Sequence, residues 1–455
     1  MSTTLTNEPL KAPPLEKQTT VGNYFVSNYP PFSFWKPEFV PDVYSAMERP
    51  PTQRGTRNAE RGTTLGIYVH IPFCRKRCHF CYFKVYTDKD SSEIKAYIDA
   101  VLAELALYAS KPFIGGRKPN FIYFGGGTPS YLSVDQLKHL TNGMKSLLPW
   151  DDAEEVTFEC EPGTLTDHKL RAIRDMGVTR LSLGVENFDD HILEINGRAH
   201  HSKEIARAYA FAREIGFPQI NIDLIAGMVE ETEANWRENV RKTIELAPDS
   251  VTIYEMEIPY NTTIYQRMKA AGKLVAPVAD WDTKRGWVNY AFAELEKAGY
   301  TVASAYTAVK NKAKTKFVYR DKLWAGADLL SVGVASFGYI GGVHYQNHAD
   351  FDPYVAQIQQ GKVPIYRAQT PSDDERLIRE FILQLKLGHL SLSYFRNKFG
   401  VDPAKRFVDP LQRLKDWGFL TIEGDQVLLN RDGLLQVDRL LHEFFLPRHQ
   451  TNRYV

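Results

Sequence analysis

Three of the four cysteines, Cys74, Cys78 and Cys81, fall within eight residues in the segment IYVHIPFCRKRCHFCYF, and Cys160 stands alone. Thiolates are soft ligands that favour zinc or iron–sulfur clusters. A structural zinc site takes four ligands, and His70 or His79 could supply the fourth. Three thiolates without a fourth suit a four-iron cluster with one iron left open to bind a cofactor. The β-rich run IYVHI leads straight into the cysteine loop. That order sets the thiols at a strand's C-terminal end, where barrel active sites sit.

Further along, the run FIYF passes into Gly125-Gly126-Gly127-Thr128-Pro129. Glycines at a strand end let a ligand approach the backbone and expose its N–H groups. The acid Asp223 lies in the apolar run NIDLIAG, where it needs a partner. A structural ion pair is the plain alternative to a ligand contact there.

These residues require a scaffold that brings strand ends together, and the chain supplies its pattern. From 65 to 257, short apolar runs alternate with longer amphipathic segments. The expected strands are Leu65–Ile71, Phe121–Phe124, Val156–Cys160, Arg180–Val185, Ile220–Ile225 and Val251–Glu257. Between them SSEIKAYIDAVLAELALYAS, DDHILEINGRAHHSKEIARAYAFAREIG and TEANWRENVRKTIELA read as helical connections. Six strand–helix units with right-handed crossovers predict an α/β fold, a partial (β/α)6 TIM-like barrel.

Around this core the sequence predicts an aromatic N-terminal arm at 1–60, the barrel at 61–310, an extension at 311–372 and a small helical domain at 373–455. The arm carries too much Pro for a helix, yet Tyr24, Phe25, Tyr29, Phe32, Phe34, Trp35 and Phe39 are too aromatic for a disordered tail. It should dock on the body, and part of it could cover an active-site mouth. In the last segment short helices lead to two β-rich runs around Gly424 and Asp425, a winged-helix-like pattern.

Charge narrows the function. Lys plus Arg is 56 and Asp plus Glu is 55, so the net charge is +1. That balance argues against a non-specific nucleic-acid binder. No apolar run of about 18 residues exists, and MSTTLTNEPLKAPPLEKQTT has no apolar core for a secretory signal. No membrane span and a cytoplasmic location are therefore expected.

CRKRCHFC matches the cysteine motif of the radical S-adenosylmethionine (SAM) superfamily. With YVHIPFC, YFGGGTPS, FECEPGTLT, RLSLGVENFDD, NGRAH and NIDLIAG in order, residues from about 65 to 450 resemble the oxygen-independent coproporphyrinogen III oxidase family, with its haem-chaperone and radical-methyltransferase relatives. The resemblance implies that Cys74, Cys78 and Cys81 ligate a 4Fe–4S cluster whose fourth iron binds SAM. Reductive cleavage of SAM then gives a 5′-deoxyadenosyl radical. Tyr68, Phe80, Gly126, Gly127, Thr128 and Glu159 resemble SAM contacts, and Arg198 and Asp223 match positions near a second SAM molecule. Glu186 stands where the oxidases have Gln, and Glu257 replaces a small residue; both are candidate bases. A small unsaturated or tetrapyrrole substrate is implied, with an electron donor such as flavodoxin or ferredoxin.

Three reactions fit this resemblance. Two-SAM methyl or methylene transfer to an unsaturated carbon is the leading expectation, on the three-cysteine motif and the retained Arg198 and Asp223. Oxidative decarboxylation of coproporphyrinogen III is the second. The oxidases have a fourth cysteine where this chain has Phe83, while NYPPFSFW resembles part of their N-terminal arm. Haem transfer is the third, but the chaperone motif HNxxYW here reads Tyr319-Arg320-Asp321-Lys322-Leu323-Trp324, without the histidine.

Overall fold

A computed structural model describes residues 23–51, 64–272 and 278–450. The rest of the predicted arm, 1–22 and 52–60, lies outside the described residues. Six parallel strands stand side by side in chain order: β1 (Leu65–Ile71), β2 (Phe121–Gly126), β3 (Glu155–Cys160), β4 (Arg180–Glu186), β5 (Gln219–Ala226) and β6 (Ser250–Glu255). All six expected strands therefore form, each within two residues of its predicted ends.

The sheet continues past both edges and does not close. Beyond β6 lie the short β7 (Thr301–Val302) and β8 (Thr307–Val309), with β8 antiparallel to β6. Beyond β1, β9 (Asp328–Val332) is parallel, and β10 (Phe337–Ile340), β11 (Val343–Asn347) and β12 (Ile365–Gln369) follow as an antiparallel meander. The Gly-rich segment DLLSVGVASFGYIGG thus supplies two strands of the main sheet, and the predicted extension is hydrogen-bonded into the barrel wall.

Several of the helices that connect the strands begin at a side-chain cap. Asp90 and Glu93 form a capping box at Ser91–Ala109, as do Ser133 and Gln136 at Val134–Leu147. The apolar face of Ser91–Ala109 buries Ile94, Ile98, Val101 and Leu105 in the main core. The long segment after β4 is divided into two helices, Asp190–Ile195 and Ser202–Glu214. Gly197 has φ of +79° and lies against the ring of His79, so Asn196–His201 crosses the barrel mouth as a loop.

The C-terminal residues build a second core. The helices Asp373–Leu385, Leu392–Phe399 and Val408–Asp416 pack with the sheet β13 (His389–Ser391), β14 (Leu420–Glu423) and β15 (Gln426–Leu429), in the element order of a winged helix. The arm seals this core to the barrel. Val26 and Tyr29 are fully buried in it, while Lys36 exchanges backbone hydrogen bonds with Ala368 on β12. Among the described residues, no helix is long and apolar enough to cross a membrane.

Candidate active site

The cysteine loop is built on the end of β1. The N–H of Cys74 donates to Tyr86 O at 3.0 Å and that of Tyr86 to Pro72 O at 2.8 Å, which closes the base of the loop. Its tip is fastened to the barrel mouth through His79. The His79 N–H donates to Asn196 O at 2.9 Å, and its Nδ1 lies 2.9 Å from Ile195 O. The glycine turn after β2 is zipped to the same exit, with Gly127 N–H on Ile71 O at 2.8 Å and Thr128 N–H on Phe73 O at 2.9 Å.

A cavity of about 530 Å³ opens at this C-terminal end of the sheet, and every site residue expected from sequence lines it. The three thiols stand at one side. Thr128 Oγ1 is 3.3 Å from Cys74 Sγ, and Arg198 Nη1 is 3.3 Å from Cys78 Sγ. Burial pushes the Cys74 thiol up to about 12 and the Cys81 thiol up to about 11, so without a metal both stay protonated. Cys160 also borders the cavity but is buried in the main core.

The donor set fits an iron–sulfur cluster. Both histidines that could have completed a zinc site are turned away, His79 to Ile195 O and His70 Nδ1 to the Tyr68 hydroxyl at 3.1 Å. A Cβ on Gly127 would come 3.0 Å from Cys74 Sγ, and one on Gly126 would strike the His70 ring at 2.7 Å. Only glycines leave the space beside the first thiol open.

The acids arrange themselves around that space. Glu159 accepts the Tyr123 hydroxyl at 2.5 Å and the Gly126 N–H at 3.2 Å, and burial raises its carboxyl to about 7. Glu186, at φ +65° on a bulge of β4, faces Arg198 at 3.6 Å and is likewise raised to about 7 by burial. Asp223 has no partner cation in contact among the described residues; it accepts from Ser182 Oγ at 2.8 Å and Asn221 Nδ2 at 2.9 Å. Glu257 accepts the Phe25 N–H at 2.7 Å, and burial puts it at about 7.

Aromatic rings complete the walls. Tyr68 stacks on Tyr123 at 5.9 Å, and Tyr319 packs on Tyr123 at 4.4 Å. Phe80 packs against the cluster of Ile192, Met228 and Met256 below the loop. The sequence reading did not single out Tyr123, Glu255 or Tyr254. Tyr123 lies two residues before the glycine turn on an inward-facing position, which strand alternation could have shown.

The radical SAM superfamily matches residues 68–243, and the HemN C-terminal domain matches residues 372–435. The haem chaperone HemW of Haemophilus influenzae is 30% identical over 278 residues, 60% of this chain and 70% of the relative. The oxygen-independent coproporphyrinogen III oxidase of Synechocystis is 25% identical over 427 residues, 90% of this chain and 86% of the relative. In fold, the structure of coproporphyrinogen III oxidase (HemN) from Escherichia coli superposes with a TM-score of 0.79 at 23% identity, over 92% of this chain and 96% of that one. The chain belongs to the radical SAM superfamily, in the family of the oxygen-independent coproporphyrinogen III oxidases and haem chaperones, and its cofactors are a 4Fe–4S cluster and SAM.

Proposed function

We propose that this radical SAM enzyme acts as an oxidase of the coproporphyrinogen type, converting propionate side chains of a reduced tetrapyrrole to vinyl groups. In each conversion the side chain gives up one hydrogen atom, one carbon dioxide and one electron, the last to a one-electron acceptor. The observation that carries this reading is the arm. Phe25 lines the cavity, while the following residues, Val26 to Trp35, are clamped between barrel and C-terminal domain. A roomy cavity with aromatic walls, bordered by Phe25 of the arm, suits a large flat ring system.

The roles follow from position. Cys74, Cys78 and Cys81 would hold the cluster, which supplies the electron that cleaves SAM. Gly126, Gly127 and Thr128 would offer backbone and hydroxyl groups to SAM, with Tyr68, Phe80 and Glu159 beside them. Tyr123 orients Glu159 through its hydroxyl. Glu257 fixes the arm through Phe25, so its first duty is closure of the chamber.

The expectation of methyl or methylene transfer is set aside. The relatives named above are an oxidase and a chaperone, and Arg198, expected near a second SAM, is engaged by Cys78, Gly184 and Glu186. Haem transfer is the second reading, favoured by the identity to the chaperone. Against it, the residue at the haem-motif histidine is Tyr319, whose ring is packed into the cavity wall.

The test is anaerobic reconstitution with iron, sulfide and reductant, then incubation with SAM and coproporphyrinogen III. The expected products are 5′-deoxyadenosine and carbon dioxide. S-Adenosylhomocysteine with a methylated product, or tight haem binding with no SAM cleavage, would overturn the reading.

A further inference from the structure

We propose that Arg198 is a positioning residue for the cluster: it hydrogen-bonds the Cys78 sulfur and sets the reduction potential, and Glu186 tunes that effect. The inference rests on the three-cysteine cluster assignment above and is independent of the substrate.

Three contacts fix the guanidinium. Nη1 lies 3.3 Å from Cys78 Sγ, Nη2 donates to Gly184 O at 2.6 Å, and Nη2 lies 3.6 Å from Glu186 Oε1. The side chain is only 11% exposed and that of Glu186 12%, so the charges act with little solvent screening. The backbone enforces the arrangement. Gly197 next door takes φ +79°, which turns the chain over the barrel mouth, and Glu186 takes φ +65° on the β4 bulge. A glutamate held at positive φ, a costly conformation, is thereby aimed at Arg198. A Cβ at Gly184 would lie 2.9 Å from Glu186 Oε1 and 3.2 Å from Arg198 Nη2, so glycine at 184 leaves the room in which the pair meets.

The physical consequence has a definite sign. Reduction adds one electron, taken from a low-potential one-electron donor, to a cluster ligated by three thiolates. A fixed positive charge and an N–H donor at one sulfur favour the more negative, reduced state and raise the potential. The Glu186 carboxylate opposes this when ionised. When ionised, it is a counter-charge that moderates Arg198 and holds the guanidinium on the sulfur side.

The experiment is an anaerobic redox titration of the full-length, reconstituted protein, followed by electron paramagnetic resonance. Arg198→Met should lower the midpoint potential, Glu186→Gln should raise it, and Arg198→Lys should restore part of the Arg198→Met loss. Iron and sulfide content is measured for each variant, so that only cluster-loaded samples are compared. A role in packing alone would move both potentials the same way or neither, and either result would overturn the inference. If Arg198→Met does not load a cluster, the opposite shift in Glu186→Gln decides alone. Failure of the unmodified protein to load a cluster would overturn the cluster assignment itself, a separate outcome.

Discussion

The backbone N–H of Phe25 donates to Glu257 Oε1 at 2.7 Å, across 232 residues of sequence. This bond seats the arm on the chain just past β6, at the rim of the cavity. Next to it Asn23 Nδ2 reaches Glu255 Oε2 at 3.0 Å, so two carboxylates hold two neighbouring positions of the arm. Burial places both carboxyls at about 7, and Lys284 lowers each of them somewhat.

Glu257 should therefore make stability depend on pH. Its carboxyl moves from 4.5 to about 7 on folding, chiefly by desolvation. Between those values the folded chain keeps a proton that the unfolded chain has released. Stability from this group falls as pH rises through the window, and the full cost of the buried charge is present above it. Glu257→Gln keeps the acceptor for Phe25 and removes the charge. It should stabilise the metal-free protein by about 1–2 kcal/mol at pH 8, a figure discounted for solvent in the cavity. At pH 5 the gain should vanish. Thermal unfolding at the two pH values checks this, and an equal difference at both would refute it.

Cysteine replacement should separate ligand from core. Cys78→Ala should lose the cluster, read as iron and sulfide content after reconstitution and as absorbance in the visible. Cys160, buried in the main core, should tolerate Ala with its cluster intact, at a cost of about 1–2 kcal/mol. Equal cluster loading in the two variants would end the three-thiolate assignment.

How much of this was legible beforehand depends on the range of the interaction. The six barrel strands could be read because each is a short, largely apolar run between polar segments, and burial on both faces leaves little freedom of register. The cysteine loop and glycine turn could be read because their spacing is local. The break at Asn196–His201 was not, since helical periodicity continues on both sides and only Gly197 marks it; its cause is the His79 ring, 118 residues earlier in sequence by numbering. The hairpin at Phe337–Asn347 was hidden by glycines that weaken the strand pattern. Tyr123 on Glu159 and Phe25 on Glu257 are tertiary contacts that no local pattern carries.

The glycine turn offers a sharper test of the SAM site. Gly127→Ala would place a methyl group 3.0 Å from Cys74 Sγ and from Ile71 O, closer than ordinary contact. Backbone cannot yield cheaply there, because Gly127 N–H is bonded to Ile71 O. The expected costs are about 1–3 kcal/mol in stability and a loss of SAM affinity of about tenfold or more, the equivalent of about 1.4 kcal/mol. Equilibrium dialysis with labelled SAM measures the second. Unchanged affinity would remove the turn from the SAM site.

A buried ion pair joins the arm, the barrel and the C-terminal domain. Lys386 and Asp438 form an ion pair at 2.7 Å with side chains 0% and 1% exposed. Both also hold the arm: Lys386 Nζ donates to Val26 O at 2.6 Å, and Asp438 Oδ1 accepts the Val26 N–H at 2.8 Å. The Phe25 ring covers the ammonium at 4.0 Å, and Tyr306 donates its hydroxyl to Asp438. Removing one partner leaves an uncompensated buried charge, so Asp438→Ala should destabilise by about 3–5 kcal/mol, and Lys386→Met/Asp438→Leu together by less. The single variant should also expose residues 23–36 to chymotrypsin, at Tyr24, Phe25, Phe32 and Phe34, while the cysteine loop still binds its cluster. Coproporphyrinogen turnover should then fall far more than SAM cleavage, because the radical forms in a cavity that has lost the arm from its rim. Parallel loss of both activities in a folded, cluster-loaded variant would mean that the arm is structural support for the cluster and not the lid of a substrate chamber.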